Sequence, residues 1–153
     1  MHKEEKQMAL MEVNFFSKAL MRPITMNVIL PADKVFFEEE TEEDNKPFKT
    51  LYLLHGVMGN YTDWVTGTCI KRWAEEKNLA VVMPSGANMF YMDHPDANEN
   101  YSEFIGKELV KITRRMFPLS HKKEDTFSIL IICIIYYFIS FQRLAALTGF
   151  QSS

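Results

Sequence analysis

The sequence predicts an α/β fold, in which a sheet starts with antiparallel strands and continues with parallel ones, flanked by helices. The first observation is the order of the segments, because strand-like apolar runs and helical periodicity follow one another as β-β-β-α-β-α. The second is that the later strand candidates are uninterrupted and apolar, which is typical of strands buried on both faces of a parallel sheet. Together they predict one mixed sheet covered by helices.

The composition is that of a single globular domain. The 153 residues are 47% hydrophobic and 24% charged, which is enough apolar material for one core. The net charge of −3 gives no electrostatic reason to expect a nucleic acid as partner. Cys69 and Cys133 have no C-x-x-C spacing and are interpreted as reduced thiols. The N-terminal residues lack an apolar stretch of signal-peptide length, so we expect a cytoplasmic protein.

Two short runs near the N-terminus predict a pair of antiparallel strands. They are Glu12–Lys18 and Ile24–Leu30, both rich in β-branched and aromatic residues. We expect the turn between them to contain Arg22 and Pro23. The acidic stretch that follows, Phe37–Lys49, is expected to be a solvated loop.

The next elements have the pattern of a β-α-β unit. Thr50–His55 is an apolar run that suits a strand buried on both faces. A helix is expected from Trp64 or Thr68 to Lys77, and Leu79–Met83 is expected to be another buried strand.

The clearest helix of the chain follows an aromatic loop over Ser85–Asn100. It is predicted to end just before Pro118, because proline cannot continue a helix. Its apolar residues fall at helical spacing on one face: Tyr101, Phe104, Ile105, Leu109, Ile112 and Met116.

The chemistry-bearing segment is an apolar strand that runs directly into a His-Gly-x-x-Gly loop, formed by His55, Gly56, Val57, Met58 and Gly59. Glycines let the backbone approach a substrate closely and adopt positive φ. The segment resembles the third strand and following loop of α/β-hydrolases, where the loop supplies one backbone N–H to the oxyanion hole. The resemblance implies that the Val57 N–H is this donor, with Met58 close by.

Further stretches extend the resemblance to one branch, the esterase D-like group, which includes tributyrin-type acyl esterases and relatives of S-formylglutathione hydrolase. The resemblance spans Met8 to Phe127. It implies hydrolysis of short-chain carboxylic or thiol esters, with a small-molecule ester as substrate and without a cofactor. The matching stretches, in order, are Tyr61-Thr-Asp-Trp64, Val82-Met-Pro-Ser85, Tyr91-Met-Asp-His94 and Phe117-Pro-Leu-Ser120.

Three side chains near the loop have two interpretations each. His55 is either a catalytic base or a residue that braces the loop, and we favour the brace. Trp64 and Tyr91 are candidate walls of the substrate pocket, and equally candidates for ordinary packing residues.

Three other polar residues are weighed and set aside. Asp93 and His94 are adjacent on a loop, but adjacent side chains rarely converge and no third ligand is in view, so we expect no metal site. Ser85 lacks the G-x-S-x-G context of a nucleophile elbow, so we reject it as the nucleophile.

The resemblance stops at Phe127. Residues 1–127 are interpreted as part of an α/β-hydrolase domain, and residues 128–153 as an apolar tail that does not match the family. No G-x-S-x-G occurs in the sequence, and the acid and histidine that follow the serine in this family have no room before Ser153. None of the catalytic triad is therefore present, and we expect the chain to be inactive alone.

Three explanations compete for the tail, which carries no charge between Asp125 and Arg143. A shifted reading frame or premature fusion is favoured, because the match fails at a sharp point. A membrane segment over 127–150 is the second, although a span needs about 20 apolar residues. A buried strand and helix in a reduced fold is the third. The oligomeric state stays open.

Overall fold

The computed structural model describes residues 8–31, 46–87, 91–97 and 99–130. The predictions for the acidic stretch fall largely on residues outside this set, as do those for the tail beyond residue 130. The strands are β1 (Ala9–Ser17), β2 (Arg22–Leu30), β3 (Lys49–Leu54), β4 (Leu79–Pro84) and β5 (Thr126–Leu130). The α-helices are α1 (Asp63–Gly67), α2 (Ile70–Glu76), α3 (Tyr101–Glu103) and α4 (Leu109–Met116).

The five strands of the described residues form one mixed sheet in the order β1-β2-β4-β3-β5. The β1–β2 and β2–β4 pairs are antiparallel, whereas β3 pairs with both β4 and β5 in parallel. The predicted sheet, antiparallel first and parallel afterwards, is confirmed. Strand β3 lies between two parallel neighbours, so the loop at its carboxyl end starts from the interior of the sheet.

The turn of the first hairpin lies earlier than predicted. Ser17 pairs with Arg22 and Phe16 with Pro23, so Arg22 and Pro23 belong to β2 and the turn lies over residues 18–21. Met21 closes this turn with a φ of 50°. Pro23 has no N–H, and it is tolerated in the strand because β2 pairs with β4 only from Met26 onwards. No residue of β4 therefore lies opposite Pro23 and lacks a hydrogen-bond donor.

The sheet buries a separate apolar cluster on each face. Successive side chains of a strand point to opposite faces, so neighbours such as Tyr52 and Leu53 belong to different clusters. The C-terminal helical segment covers one face through Tyr101, Phe104 and Leu109. Helix α2 covers the other face through Ile70 and Ala74. Helices therefore flank both faces, as predicted.

The helix expected from Trp64 or Thr68 to Lys77 is two helices, α1 and α2. Thr68 is extended, with φ −140° and ψ 171°, and this breaks the helical path after Gly67. Its side chain stabilises both ends of the break: the Thr68 hydroxyl donates to the Trp64 carbonyl at 2.5 Å and accepts the Ile70 N–H at 3.2 Å.

The clearest predicted helix is present but not regular. Helix α3 continues through a π-helical turn, Phe104–Glu108, into α4. The π turn inserts one extra residue, which lets both Phe104 and Leu109 point into the same cluster although they are five residues apart. Met116, the last residue of α4 and of the predicted apolar face, is 45% exposed, whereas Thr113 is buried.

The π turn also brings a carboxylate to the first hairpin. Glu108 accepts hydrogen bonds from the Ser17 hydroxyl at 2.5 Å, the Lys18 N–H at 2.7 Å and the Ala19 N–H at 3.1 Å. The Ser17 hydroxyl in turn accepts the Leu20 N–H at 3.1 Å. The Glu108 carboxylate thus accepts hydrogen bonds from turn donors for which no neighbouring strand supplies an acceptor. It also attaches the hairpin to the helical layer.

Strand β5 is an edge of the described sheet and continues past the boundary predicted at Phe127. It pairs with β3 from Thr126 to Leu130. The strand therefore covers β3 on one side. At this edge of the sheet the apolar residue Phe127 is 47% exposed. No helix within the described residues is both long and apolar enough to span a membrane.

Candidate functional site

The loop after β3 is a tight turn at the carboxyl end of a central parallel strand. The Gly59 N–H donates to the Gly56 carbonyl at 3.1 Å, which places Val57 and Met58 at the two central positions. Met58 has a φ of 62°, and its side chain is 86% exposed. The turn therefore lifts its central peptides away from the sheet.

His55 is buried beneath this turn and uses both ring nitrogens. Its Nε2 accepts the Gly86 N–H at 2.8 Å, which assigns the proton of the neutral ring to Nδ1. Nδ1–H then donates to the Gly56 carbonyl at 2.8 Å. The ring thus connects the loop after β3 to the loop after β4. This is a bracing position, because neither nitrogen is available to accept a proton from a nucleophile.

The same contacts set the direction of the Val57 N–H. The Gly56 carbonyl accepts two hydrogen bonds, from His55 Nδ1–H and from the Gly59 N–H. The Gly56–Val57 peptide is planar and trans, so its N–H points opposite to its C=O. No group of the described residues accepts a hydrogen bond from the Val57 N–H. The loop therefore presents one fixed backbone donor, directed away from the atoms that hold the peptide.

Tyr91 covers the bracing contacts of His55. Its hydroxyl accepts the His55 N–H at 3.2 Å, and the two rings lie 5.5 Å apart between centroids. A Cβ on Gly86 would meet the Tyr91 ring at 2.2 Å, so only glycine fits under it. Burial raises the pKa of the Tyr91 hydroxyl far above its usual range, so this group stays protonated.

Gly59 and Asp63 connect the far end of the loop to α1. Asp63 Oδ2 accepts the Asn60 N–H at 3.1 Å. A Cβ on Gly59 would lie 2.2 Å from the same carboxylate oxygen. Glycine at this position therefore lets the carboxylate reach the loop backbone.

The two candidate pocket residues lie on different faces of the sheet. Trp64, on α1, packs against the cluster that contains Leu53. Tyr91 packs against the cluster that contains Tyr52. The structure brings Tyr91, but not Trp64, into contact with His55.

Asp93 and His94 have structural contacts. The Asp93 carboxylate accepts the Ser102 hydroxyl at 2.6 Å and the Ser102 N–H at 2.7 Å, next to the start of α3. These hydrogen bonds lower the pKa of Asp93. The His94 main chain exchanges hydrogen bonds with Glu99. Within the described ranges, no three His, Cys, Asp or Glu side chains group closely enough to hold a metal ion.

Sequence reasoning missed Gly86 as the partner of His55. The available signal is the position of Gly86, two residues after a buried strand that ends at Pro84. Parallel strands β3 and β4 end at the same edge of the sheet, so their following loops are neighbours. A glycine in one such loop is a candidate for close approach to the other.

Comparison with known proteins agrees with this geometry. The profile of the family described as Putative esterase matches residues 17–130. An acetyl esterase of Caldicellulosiruptor saccharolyticus is 44% identical over 120 residues, covering 78% of this chain and 45% of the relative.

Solved structures give the same picture. The substrate-bound fluorophosphonate-binding serine hydrolase F of Staphylococcus aureus superposes with a TM-score of 0.65 at 34% identity, over 79% of this chain and 46% of that one. The S-formylglutathione hydrolase of the same organism gives 0.65 and 34%, over 80% and 46%. A ferulic acid esterase also gives a TM-score of 0.65, but at 19% identity, which shows the fold alone. The chain spans about half the length of these relatives.

Proposed function

This chain belongs to the putative-esterase family of α/β-hydrolases, in its esterase D-like branch, and from that premise we propose that it forms the oxyanion-binding side of a serine esterase. The proposed substrates are small-molecule carboxylic esters or thioesters with short acyl groups. Two of the relatives that share a third or more of their aligned residues are named an acetyl esterase and an S-formylglutathione hydrolase, and these names support short acyl groups.

The Val57 N–H is the observation that carries this proposal. In ester hydrolysis by a serine, attack on the carbonyl carbon puts negative charge on the former carbonyl oxygen. A backbone donor that is already held in place stabilises this charge without reorganising during the reaction. The Gly56–Val57 peptide has this property because two hydrogen bonds fix its carbonyl. The second donor of such a hole is the N–H that follows the nucleophilic serine.

We propose that these 153 residues do not hydrolyse esters by themselves, because they contain no G-x-S-x-G elbow. The purified chain is expected to hydrolyse p-nitrophenyl butyrate no faster than a heat-treated sample, and to remain unlabelled by a fluorophosphonate probe. Saturable hydrolysis that the probe abolishes would show that another residue acts as nucleophile.

The donor role is tested in a chimera in which residues 1–130 precede the C-terminal remainder of the acetyl esterase relative. Val57→Pro removes the N–H at a position where the turn itself accepts proline, since proline is favoured at the second position of a β-turn. It is expected to lower kcat on the order of 100- to 1000-fold, while the matched control Val57→Ala keeps kcat within about threefold. Equal kcat values for the two variants would exclude Val57 as the donor.

A second candidate is a non-enzymatic membrane-tethered or interaction protein that uses the apolar C-terminal segment, and the uncharged run between Asp125 and Arg143 favours it. We prefer a cytoplasmic location, where an exposed reduced thiol such as Cys69 is ordinary. Cell fractionation separates the two. A segment over 127–150 that spans the bilayer predicts release by detergent but not by carbonate, whereas the esterase proposal predicts recovery in the supernatant without detergent.

A further inference from the structure

Tyr91 makes contacts that packing alone does not require. After Leu54 the chain leaves β3, so the His55 N–H has no strand partner. The Tyr91 hydroxyl accepts this N–H at 3.2 Å. Tyr91, which lies in a different loop, therefore supplies the acceptor for the main chain at the point where the loop after β3 begins.

The Tyr91 ring also confines the contact between His55 and Gly86. Its Cε1 and Cζ atoms occupy the space where a Cβ on Gly86 would lie, at 2.2 and 2.3 Å. The ring thus lies against the peptide whose N–H donates to His55 Nε2. Any shift of the ring changes the space available to this donor.

Tyr91 is itself held from the opposite side. Its ring meets the Tyr101 ring edge to face, with centroids 6.0 Å apart. Tyr101 is fully buried, and Arg22 donates a hydrogen bond to its hydroxyl. Tyr91 therefore has contacts to the helical layer on one side and to the functional loop on the other, although its own φ is 54°. A tyrosine in this left-handed conformation is uncommon and strained, and the surrounding contacts must offset this strain.

We propose that Tyr91 is a positioning residue of the oxyanion loop: it holds His55 in place, and His55 fixes the direction of the Val57 N–H through the Gly56 carbonyl. The catalytic meaning of this inference rests on the proposed function, but the positioning itself does not. The chain of contacts is Tyr91 to His55 and Gly86, His55 to Gly56, and Gly56 to Val57 through one peptide plane.

The test uses the full 153-residue chain labelled with 15N. Tyr91→Phe keeps the ring over Gly86 and removes only the acceptor of the His55 N–H. Amide hydrogen exchange of His55 is expected to speed up about five- to tenfold relative to Leu53, and the His55 imidazole 15N shifts are expected to move away from those of a fixed Nδ1–H tautomer. The matched control is Tyr61→Phe, which removes a hydroxyl bonded to Glu12 and is expected to leave both signals unchanged.

Two results obtained with the Tyr91→Phe variant would overturn the proposal. One is a Tyr91→Phe variant in which Leu53 and His55 exchange faster by the same factor, because this indicates general destabilisation. The other is an unchanged His55 signal. The wild-type chain gives a check that needs no variant: a slowly exchanging His55 amide and nuclear Overhauser contacts between the Tyr91 ring and Gly86 are expected, and their absence contradicts the proposal. If Val57→Pro leaves the chimera active, the donor assignment fails while this result still decides the role of Tyr91.

Discussion

The imidazole Nε2 of His55 accepts the backbone N–H of Gly86 at 2.8 Å, across the gap between two parallel strands. This contact explains why a histidine precedes the glycines of the loop. A ring of this size reaches the neighbouring loop with one nitrogen while the other returns to its own chain. The loop is therefore held both to the loop after β4 and to its own main chain.

Two replacements of His55 are expected to show how much each of its two ring hydrogen bonds contributes to stability. His55→Ala removes the buried ring and both hydrogen bonds, and is expected to lower the free energy of unfolding by about 2–4 kcal/mol. His55→Gln keeps an oxygen that can accept the Gly86 N–H, so about half of the loss is expected. Urea unfolding followed by circular dichroism measures both. A glutamine variant as unstable as the alanine variant would argue against the Gly86 contact.

A substitution at Gly59 is expected to act through Asp63. The Cβ of Gly59→Ala would meet Asp63 Oδ2, so the carboxylate must leave the Asn60 N–H. The expected loss is about 1–2 kcal/mol. In the double variant with Asp63→Ala the clash disappears, so the second substitution should add little to the first. Additive losses in this double-mutant cycle would show that Gly59 is needed for its backbone alone.

Glu108 is expected to contribute more stability than its exposed neighbours on the same helical segment. Glu108→Ala leaves three donors of the first hairpin without their acceptor and is expected to cost about 2–3 kcal/mol. The control, Glu103→Ala, removes an exposed ion pair with Lys107 and is expected to cost less than about 0.5 kcal/mol. Chemical denaturation at neutral pH compares the two, and similar losses would mean that the hairpin is held by β1 and β2 alone.

Asp93 is expected to give an acid-sensitive contribution to stability. Its pKa is lowered by the Ser102 hydrogen bonds, so the contribution is fully present above the unfolded value of about 3.9 and is lost as the pH falls through the lower folded value. Asp93→Ala should therefore be less stable than wild type at neutral pH, with a difference that shrinks in strong acid. The exposed Asp96→Ala serves as control. A difference that stays constant with pH would rule out the carboxylate as its source.

Much of this architecture follows from local pattern. The apolar run before His55 predicts a buried parallel strand, and the glycines after it predict a tight turn, because both depend on residues close in sequence. The turn is predicted at Arg22 and Pro23 because proline favours turns, and this prediction is wrong. The strand register and the Glu108 contacts decide where the hairpin bends. The irregular helix was missed because Ile105 and Leu109, four residues apart, already fit the apolar face of a regular helix, so the sequence pattern does not indicate the π turn.

Such local patterns do not predict contacts between side chains that lie far apart in the sequence. Tyr91 was a candidate pocket wall, and its hydrogen bond to the His55 main chain depends on how the loops after β3 and β4 meet. Trp64 is a candidate for the same wall in the sequence. The sheet separates them, because the segments that carry them cover opposite faces.

The π turn has a consequence for how this segment tolerates insertions and deletions. Each residue of a regular helix advances it by about 100°, and the π turn Phe104–Glu108 holds one residue more than this repeat requires, so deleting one residue there would leave the segments on its two sides facing as before. Gly106 is the natural point for such a change, because open space surrounds the position of its missing Cβ. A chain shortened there would form a regular helix, in which Phe104 and Leu109 are separated by four positions and still face the same cluster. The π turn is thus the place where this helical segment accommodates a change of length without turning its buried face.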